Sequence, residues 1–303
     1  MEKAKNFAYK AYKFSNSWPG TIIIVLLVIF FVAQAFRIPS GSMKSSLLIG
    51  DHLFAKKFAY GISTPHLPFL EIALVPGTDG HIINGDTPER GDIVIFRPPH
   101  NKKMHYVKRC VALPGDEIFM VNKELYLHPF EGDDYTKEFY KGYELINKDG
   151  KLWVKNPYRK KHIGIHNDKH VIQDDPVVLY EGGRYEPVDR YSQVYKQLRS
   201  GLFKVENGTF YEHNPLFAFP VKRIPENEYF MMGDNRDHSN DSRFWGTVPY
   251  GLVEGTPWFV YFSINDNYEI RWDRMGKTPT DLEQREYIDR ALAEDTKKDQ
   301  GVF

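Results

Sequence analysis

The sequence has one cysteine in 303 residues, Cys110, which excludes an intrachain disulfide, a CxxC redox pair and a multi-cysteine zinc site. It carries no net charge, 40 basic side chains balancing 40 acidic ones, and no basic run longer than Arg159 to His162, so nucleic acid is not an expected partner. Internal repeats and low-complexity tracts are missing too. No metal or cofactor is expected. His162, His166 and His170 recur every four residues, but Gly164, Asn167 and Asp168 oppose the helix that would align them. An EF-hand register from Asp237 puts Ser242 where glycine is needed and Val248 where glutamate is needed. Gly276-Lys277-Thr278 has Arg271 in place of a phosphate loop's first glycine. What the chain does have is aromatic residues (15%) with Pro and Gly scattered throughout, which points to a mainly β protein.

One stretch departs from that pattern. Trp18 to Phe36 holds no charge, and Ile22 to Ala33 is wholly apolar. As a helix it would rise about 28 Å at ~1.5 Å per residue, against about 30 Å of hydrocarbon in a bilayer. Lys3, Lys5, Lys10 and Lys13 precede it, opposed only by Glu2, which under the positive-inside rule keeps the amino terminus in the cytoplasm. The expectation is a basic tail over 1–17 and a single transmembrane helix over 18–36. A buried core helix and a cleaved secretory signal compete with this reading, the latter because Ala33-Gln34-Ala35 has a small-x-small form.

Beyond it, Asp51 to Gly61 reads as a strand, and the apolar island Leu67 to Val75 as a hairpin. Gly91 to Pro99 and Lys103 to Ile118 are strand signals, the second interrupted by the type II turn pair Pro114-Gly115. Residues 120–227 are more polar, without sustained apolar periods, and read as an inserted subdomain. Strand character returns at Asn227 to Gly246 and Thr256 to Ile264, and Thr280 to Lys298 resembles a helix capped by Thr280 and Asp281.

Two residues invite a chemical reading. Ser42 lies in a turn rich in small residues, where serine ordinarily only satisfies backbone, and no GxSxG motif supplies a histidine base. On the strand "KMHYVKRCVAL", Met104, Tyr106, Lys108, Cys110 and Ala112 share a face, and Lys108 is its only charge. Burial there would depress the amine's pKa toward that of a general base; snorkelling from a sheet rim is the competing reading. Arg109 would point the opposite way, as a surface or paired charge. The acidic and basic side chains of Gly233 to Gly246 could pair among themselves in a rigid loop.

"IPSGSM", Gly50-Asp51, "RGDIVIF", "YVKRCVALPGD" and "GDNRDHSNDSRFWG" resemble, in order and spacing, the sequence boxes of bacterial type I signal peptidases. The resemblance implies a membrane-anchored serine endopeptidase on an antiparallel β fold, cutting signal peptides from exported preproteins after small-x-small sites. It implies Ser42 as nucleophile, Lys108 as general base, Ser40 in the oxyanion hole, Ser239 hydrogen-bonded to the base, and Asp241 with Arg243 as a structural ion pair. Phe36, Ile38, Met43, Leu47, Ile95, Tyr106 and Val107 match pocket-lining positions. Partners would be preprotein signal peptides, the lipid bilayer of the bacterial inner membrane and nearby export machinery. The family usually has Pro-Thr where this chain has Ser45 and Ser46, a departure expected to loosen the turn.

The expected layout is a catalytic β domain from 37–119 and 228–276, the insertion 120–227 and a helical tail 277–303. Another Ser/Lys protease, or a non-catalytic scaffold on the same fold, would be the rival functions.

Overall fold

A computed structural model of the chain describes residues 2–31, 33–64, 80–121, 123–167, 178–181, 184–187 and 219–291. The expected hairpin at Leu67 to Val75, His170, and the tail beyond 291 lie outside them.

Two helices come first: α1 (Glu2–Ser15) and α2 (Trp18–Phe31). Ser17 separates them, its Oγ donating to the Phe14 carbonyl at 2.6 Å and accepting from Gly20 N at 3.2 Å, so the hydroxyl caps α2. The expected basic tail is therefore helical. The expected helix over 18–36 is shorter: α2 ends at Phe31, and Ala33–Arg37 is strand β1, paired with β2 (Asp51–Lys56) from Ala33↔Lys56 to Arg37↔His52. The fourteen residues of α2 rise about 21 Å at ~1.5 Å each. Among the described residues no helix is long and apolar enough to cross a membrane.

The strand expected over Asp51 to Gly61 is also broken. β2 gives way to a 3-10 turn at Lys57–Tyr60 and then β3 (Gly61–Ser63), which pairs with β4 (His81–Asn84). β5 (Ile93–Phe96) and β6 (Tyr106–Ala112) form the next antiparallel pair, with Val94 opposite Lys108. After β6, Pro114-Gly115 makes the expected turn: Gly115 has φ 84° and Asp116 N donates to the Leu113 carbonyl at 3.0 Å.

The chain continues through β7 (Glu117–Val121), β8 (Glu124–His128), α3 (Asp133–Phe139), β9 (Leu145–Lys148) and β10 (Lys151–Lys155). β11 (Val178–Glu181) and β12 (Arg184–Pro187) pair only with each other. β13 (Phe219–Arg223), β14 (Glu228–Met232), β15 (Val248–Pro249) and the long β16 (Val253–Ser263) complete the strands. Seven strands form one sheet in the order β1-β2-β16-β5-β6-β14-β15, and five form another in the order β13-β7-β8-β10-β9; among the described residues the strands of both sheets pair antiparallel.

β16 holds the large sheet together by pairing with β2 along one stretch and β5 along another. Its Pro257, which has no N–H to donate, sits at a register shift. The polar stretch after 120 is more regular than its composition suggested. β7, β8, β10 and β13 share one apolar core with β6 and β14, in which Leu125, Leu127 and Val154 pack with Val111, Phe230 and Met232. Burial of this kind stabilises by about 25 cal/mol per Å² of apolar surface. The capped helix near the carboxyl end begins two residues earlier than expected. Thr278, not Thr280, forms the capping box with Asp281 ahead of Pro279–Leu282.

Candidate active site

Ser42 sits in a 3-10 turn, Gly41–Met43, directly after β1. The turn is held at its far end by Ile38 N donating to the Asp51 carbonyl at 2.8 Å and Gly50 N donating to the Ile38 carbonyl at 3.1 Å. Gly50 has φ 87°, and a Cβ there would lie 1.9 Å from the Ile264 carbonyl oxygen, so only glycine fits. Side chains flanking the nucleophile, Met43 and Leu47, are buried in the same core as Leu53, Ile95 and Val260.

Lys108 reaches this turn from the middle of β6, and its Nζ is hydrogen-bonded to Ser42 Oγ. Both residues are buried, Lys108 to 4% exposure and Ser42 to 6%, which overturns the snorkelling reading. Burial lowers the Lys108 pKa to about 8; Arg243 pushes the same way, while Asp241 and Asp234 oppose it. Ser40 Oγ lies 3.4 Å from Ser42 Oγ. The pair opens on a cavity of about 330 Å³, lined by Phe36, Ile38, Ser40, Met43, Tyr106 and Val107 among others. Leu47 and Ile95, expected in that lining, are fully buried behind it, because their side chains fill the core that supports Phe36 and Val107.

Other wall residues, among them Met104, His105, His238 and Asn240, were given no role by the sequence reading. His105 packs edge-on against Phe36 with ring centroids 5.0 Å apart, and its Nε2 lies 2.8 Å from Glu254 Oε2. Glu254 in turn pairs with Arg97 at 2.5 Å, so a buried polar cluster backs this wall.

The loop 233–241 closes the other side. Asp241 and Arg243 make a two-pronged buried ion pair, at 2.8 and 2.9 Å, and Asp241 also accepts from Gly233 N at 2.9 Å. Burial alone would raise the Asp241 pKa; Arg243 outweighs it and holds the carboxylate below its ordinary range. Ser239 is buried beside this pair, and the expected bond from its Oγ to Lys108 is not formed in this structure. A Cβ on Gly233 would come within 2.3 Å of Ser239 Oγ and 2.5 Å of the Ser42 carbonyl oxygen, which places loop and nucleophile in direct contact.

Arg109 is the largest departure from the sequence reading. It is 1% exposed and not on the surface. Its guanidinium donates to both carboxylate oxygens of Asp234 at 2.7 and 2.6 Å, and to the Gly91 carbonyl at 2.6 Å. Asp234 also accepts from Ser46 Oγ at 2.7 Å, so Ser46 ties the turn down where loosening was expected. Ser45 has φ 91°, a backbone that proline, fixed near −65°, cannot adopt. His166, from the segment read as an insertion, bridges in parallel to Asn235, with its N–H on the Asp234 carbonyl at 3.0 Å. Among the described residues no group of His, Cys, Asp and Glu side chains could hold a metal. Cys110 is fully buried, and desolvation raises its thiol well above the ordinary pKa, which leaves it inert.

A buried amine on a buried serine hydroxyl, at the end of an apolar cleft, has the geometry of acyl transfer by a Ser/Lys pair. Comparison with known proteins agrees. Residues 13–262 match the model of the family described as signal peptidase, peptidase S26. A protein named signal peptidase I from Helicobacter pylori strain J99 is 43% identical over 297 residues, covering 92% of this chain and 96% of its own. Relatives of the same name from Buchnera aphidicola subsp. Baizongia pistaciae and from Rickettsia typhi are 31% and 30% identical, covering 87% and 85% of this chain and 82% and 81% of their own. By motif, by site and by these alignments, the chain belongs to the signal peptidase family, peptidase S26.

Proposed function

We propose that this chain is a serine endopeptidase that removes signal peptides from preproteins after small-x-small sites, with Ser42 as nucleophile and Lys108 as general base. The hydrogen bond between Lys108 Nζ and Ser42 Oγ, both residues buried at the end of the cleft, carries this reading. In the reactive form the neutral amine accepts the Ser42 proton as Oγ adds to the scissile carbonyl. The Ser40 hydroxyl, on the cleft side of Ser42, and the Ser42 N–H are the donors for the oxyanion. Collapse of the tetrahedral intermediate passes the proton from Lys108 to the leaving amine; water then attacks the acyl-enzyme with the same lysine as base. Ser239 would orient the amine once a substrate closes the cleft, and the Asp241–Arg243 pair holds the loop that carries it.

The apolar wall of Phe36, Ile38, Met43, Tyr106 and Val107 favours small side chains beside the cut. We read α2 as the membrane anchor at the bacterial inner membrane, from the uncharged run Trp18 to Phe36 and the lysines before it, with the catalytic domain outside and export machinery nearby. Residues 120–227 are read as an insertion in a catalytic domain of 37–119 and 228–276. A non-catalytic scaffold would have no use for a buried lysine held against a serine, since desolvating an amine costs stability.

The test is cleavage of a preprotein with an Ala-x-Ala site by purified full-length chain in detergent. Wild type cleaves at that site, and Ser42→Ala and Lys108→Ala each lose essentially all activity. A wild type that binds the preprotein without cutting it would favour the scaffold.

A further inference from the structure

Arg109 has a second acid. Its Nη2 also donates to Glu283 Oε1, from the segment that follows the Thr278 cap, and Glu283 Oε2 lies 2.7 Å from His162 Nδ1. The buried cation is thus shared between two carboxylates from distant carboxyl-terminal segments, Asp234 at 125 residues' separation and Glu283 at 174. Glu283 lies beyond residue 262, where the family match ends.

We propose that Glu283 is a positioning residue of the active site, holding Arg109 so that the strand bearing Lys108 and the turn bearing Ser42 keep one relative position. Three observations carry it. Arg109 is the chain neighbour of Lys108, so whatever immobilises one backbone unit of β6 immobilises the other. Its carboxylate partner Asp234 grips the nucleophile turn through Ser46 Oγ at 2.7 Å, and the next residue donates Asn235 N–H to the Ser42 carbonyl at 3.1 Å. Finally, the guanidinium is almost wholly buried, so the Nη2–H that faces Glu283 has little water to replace a lost acceptor.

Asp234 uses both oxygens on Arg109 and one also on Ser46. Without Glu283, Arg109 Nη2 would draw on Asp234 alone, and Asp234 would be pulled toward the strand and away from the turn. Leu282, next to Glu283, is fully buried in the core that contains Met43 and Leu47, which seats this segment against the nucleophile's own support. On this argument Glu283 is the side chain through which the carboxyl-terminal segment reaches the active site.

The proposal rests on the peptidase reading for its kinetic consequence, but not for its structural one, and the experiment separates them. Full-length wild type, Glu283→Ala, Glu283→Gln and Asp281→Ala are compared in detergent. The last removes the carboxylate of the capping box in the same segment and touches no part of the Arg109 cluster. Expected for Glu283→Ala is a fall in kcat of about tenfold or more with KM within about twofold, as for a displaced catalytic pair. Glu283→Gln, which keeps one hydrogen bond, falls less, and Asp281→Ala keeps wild-type kcat. Hydrogen exchange read by mass spectrometry rises in the 42–47 and 106–110 peptides of Glu283→Ala. Unchanged kcat in Glu283→Ala, or an equal loss in Asp281→Ala, overturns the proposal. Were wild type itself unable to cleave, the peptidase reading would fall, and unchanged exchange at 42–47 would still decide against a positioning role.

Discussion

Ser42 and Lys108, 66 residues apart in sequence, meet through a hydrogen bond at the buried end of the cleft. Burial brings the lysine down to about 8, within reach of neutral pH, and only its uncharged form can take a proton. The rate of preprotein cleavage at low substrate should therefore rise with pH, reaching roughly a tenth of its plateau at pH 7 and half near pH 8. A profile flat from pH 6 to 10 would exclude Lys108 as base.

The same desolvation carries a stability cost. The folded-state pKa lies below the unfolded value, so the unfolded chain binds the proton more tightly, and the penalty is full below about pH 8 and fades as the pH approaches 10.5. At ~1.4 kcal/mol per pKa unit the penalty is about 3 kcal/mol. Lys108→Met, inactive as a peptidase, should then be more stable than wild type by about 1–3 kcal/mol at pH 7, after allowing for the lost bond to Ser42. Denaturant titrations should show that advantage shrinking at pH 10.

Ser45 stands where the resemblance to the family implies proline, and here its φ is 91°. Installing the family residue by Ser45→Pro should cost about 3 kcal/mol or more and abolish cleavage, because the turn holding Ser42 would have to be rebuilt. Ser45→Gly, which adopts this backbone freely, should keep both stability and activity. Thermal melts and a cleavage assay on the two variants distinguish these outcomes.

Gly233→Ala tests the contact between the acidic loop and the nucleophile. The new methyl would press on Ser239 Oγ and on the Ser42 carbonyl, at 2.3 and 2.5 Å, and the backbone atom cannot yield without moving the turn. Activity should fall by about a hundredfold, as for displacement of a reacting group, with the fold retained. Cleavage kinetics with circular dichroism would check both halves.

The pairing of Ser42 with Lys108 was legible through the resemblance of several ordered motifs, since locally Ser42 reads as an ordinary turn serine and Lys108 only as the one charge on an apolar strand face. Pro114-Gly115 was legible locally, as a turn pair. Arg109 was not, since its partners Asp234 and Glu283 come from distant segments and nothing local to β6 distinguishes a buried paired arginine from a surface one. The end of α2 was hidden by composition. Ala33 to Phe36 suits a helix as well as a strand, and only pairing with β2 settles it. The described part of 120–227 looked irregular because much of its apolar surface packs on β6 and β14 across a shared core.

The junction between α2 and β1 has a consequence for where cutting can happen. A single residue separates Phe31 from Ala33, and two extended links span at most about 7 Å. Were α2 the anchor, as proposed above, so short a tether would hold the cleft close to one height over the lipid, and a substrate would have to bring its scissile bond to that height.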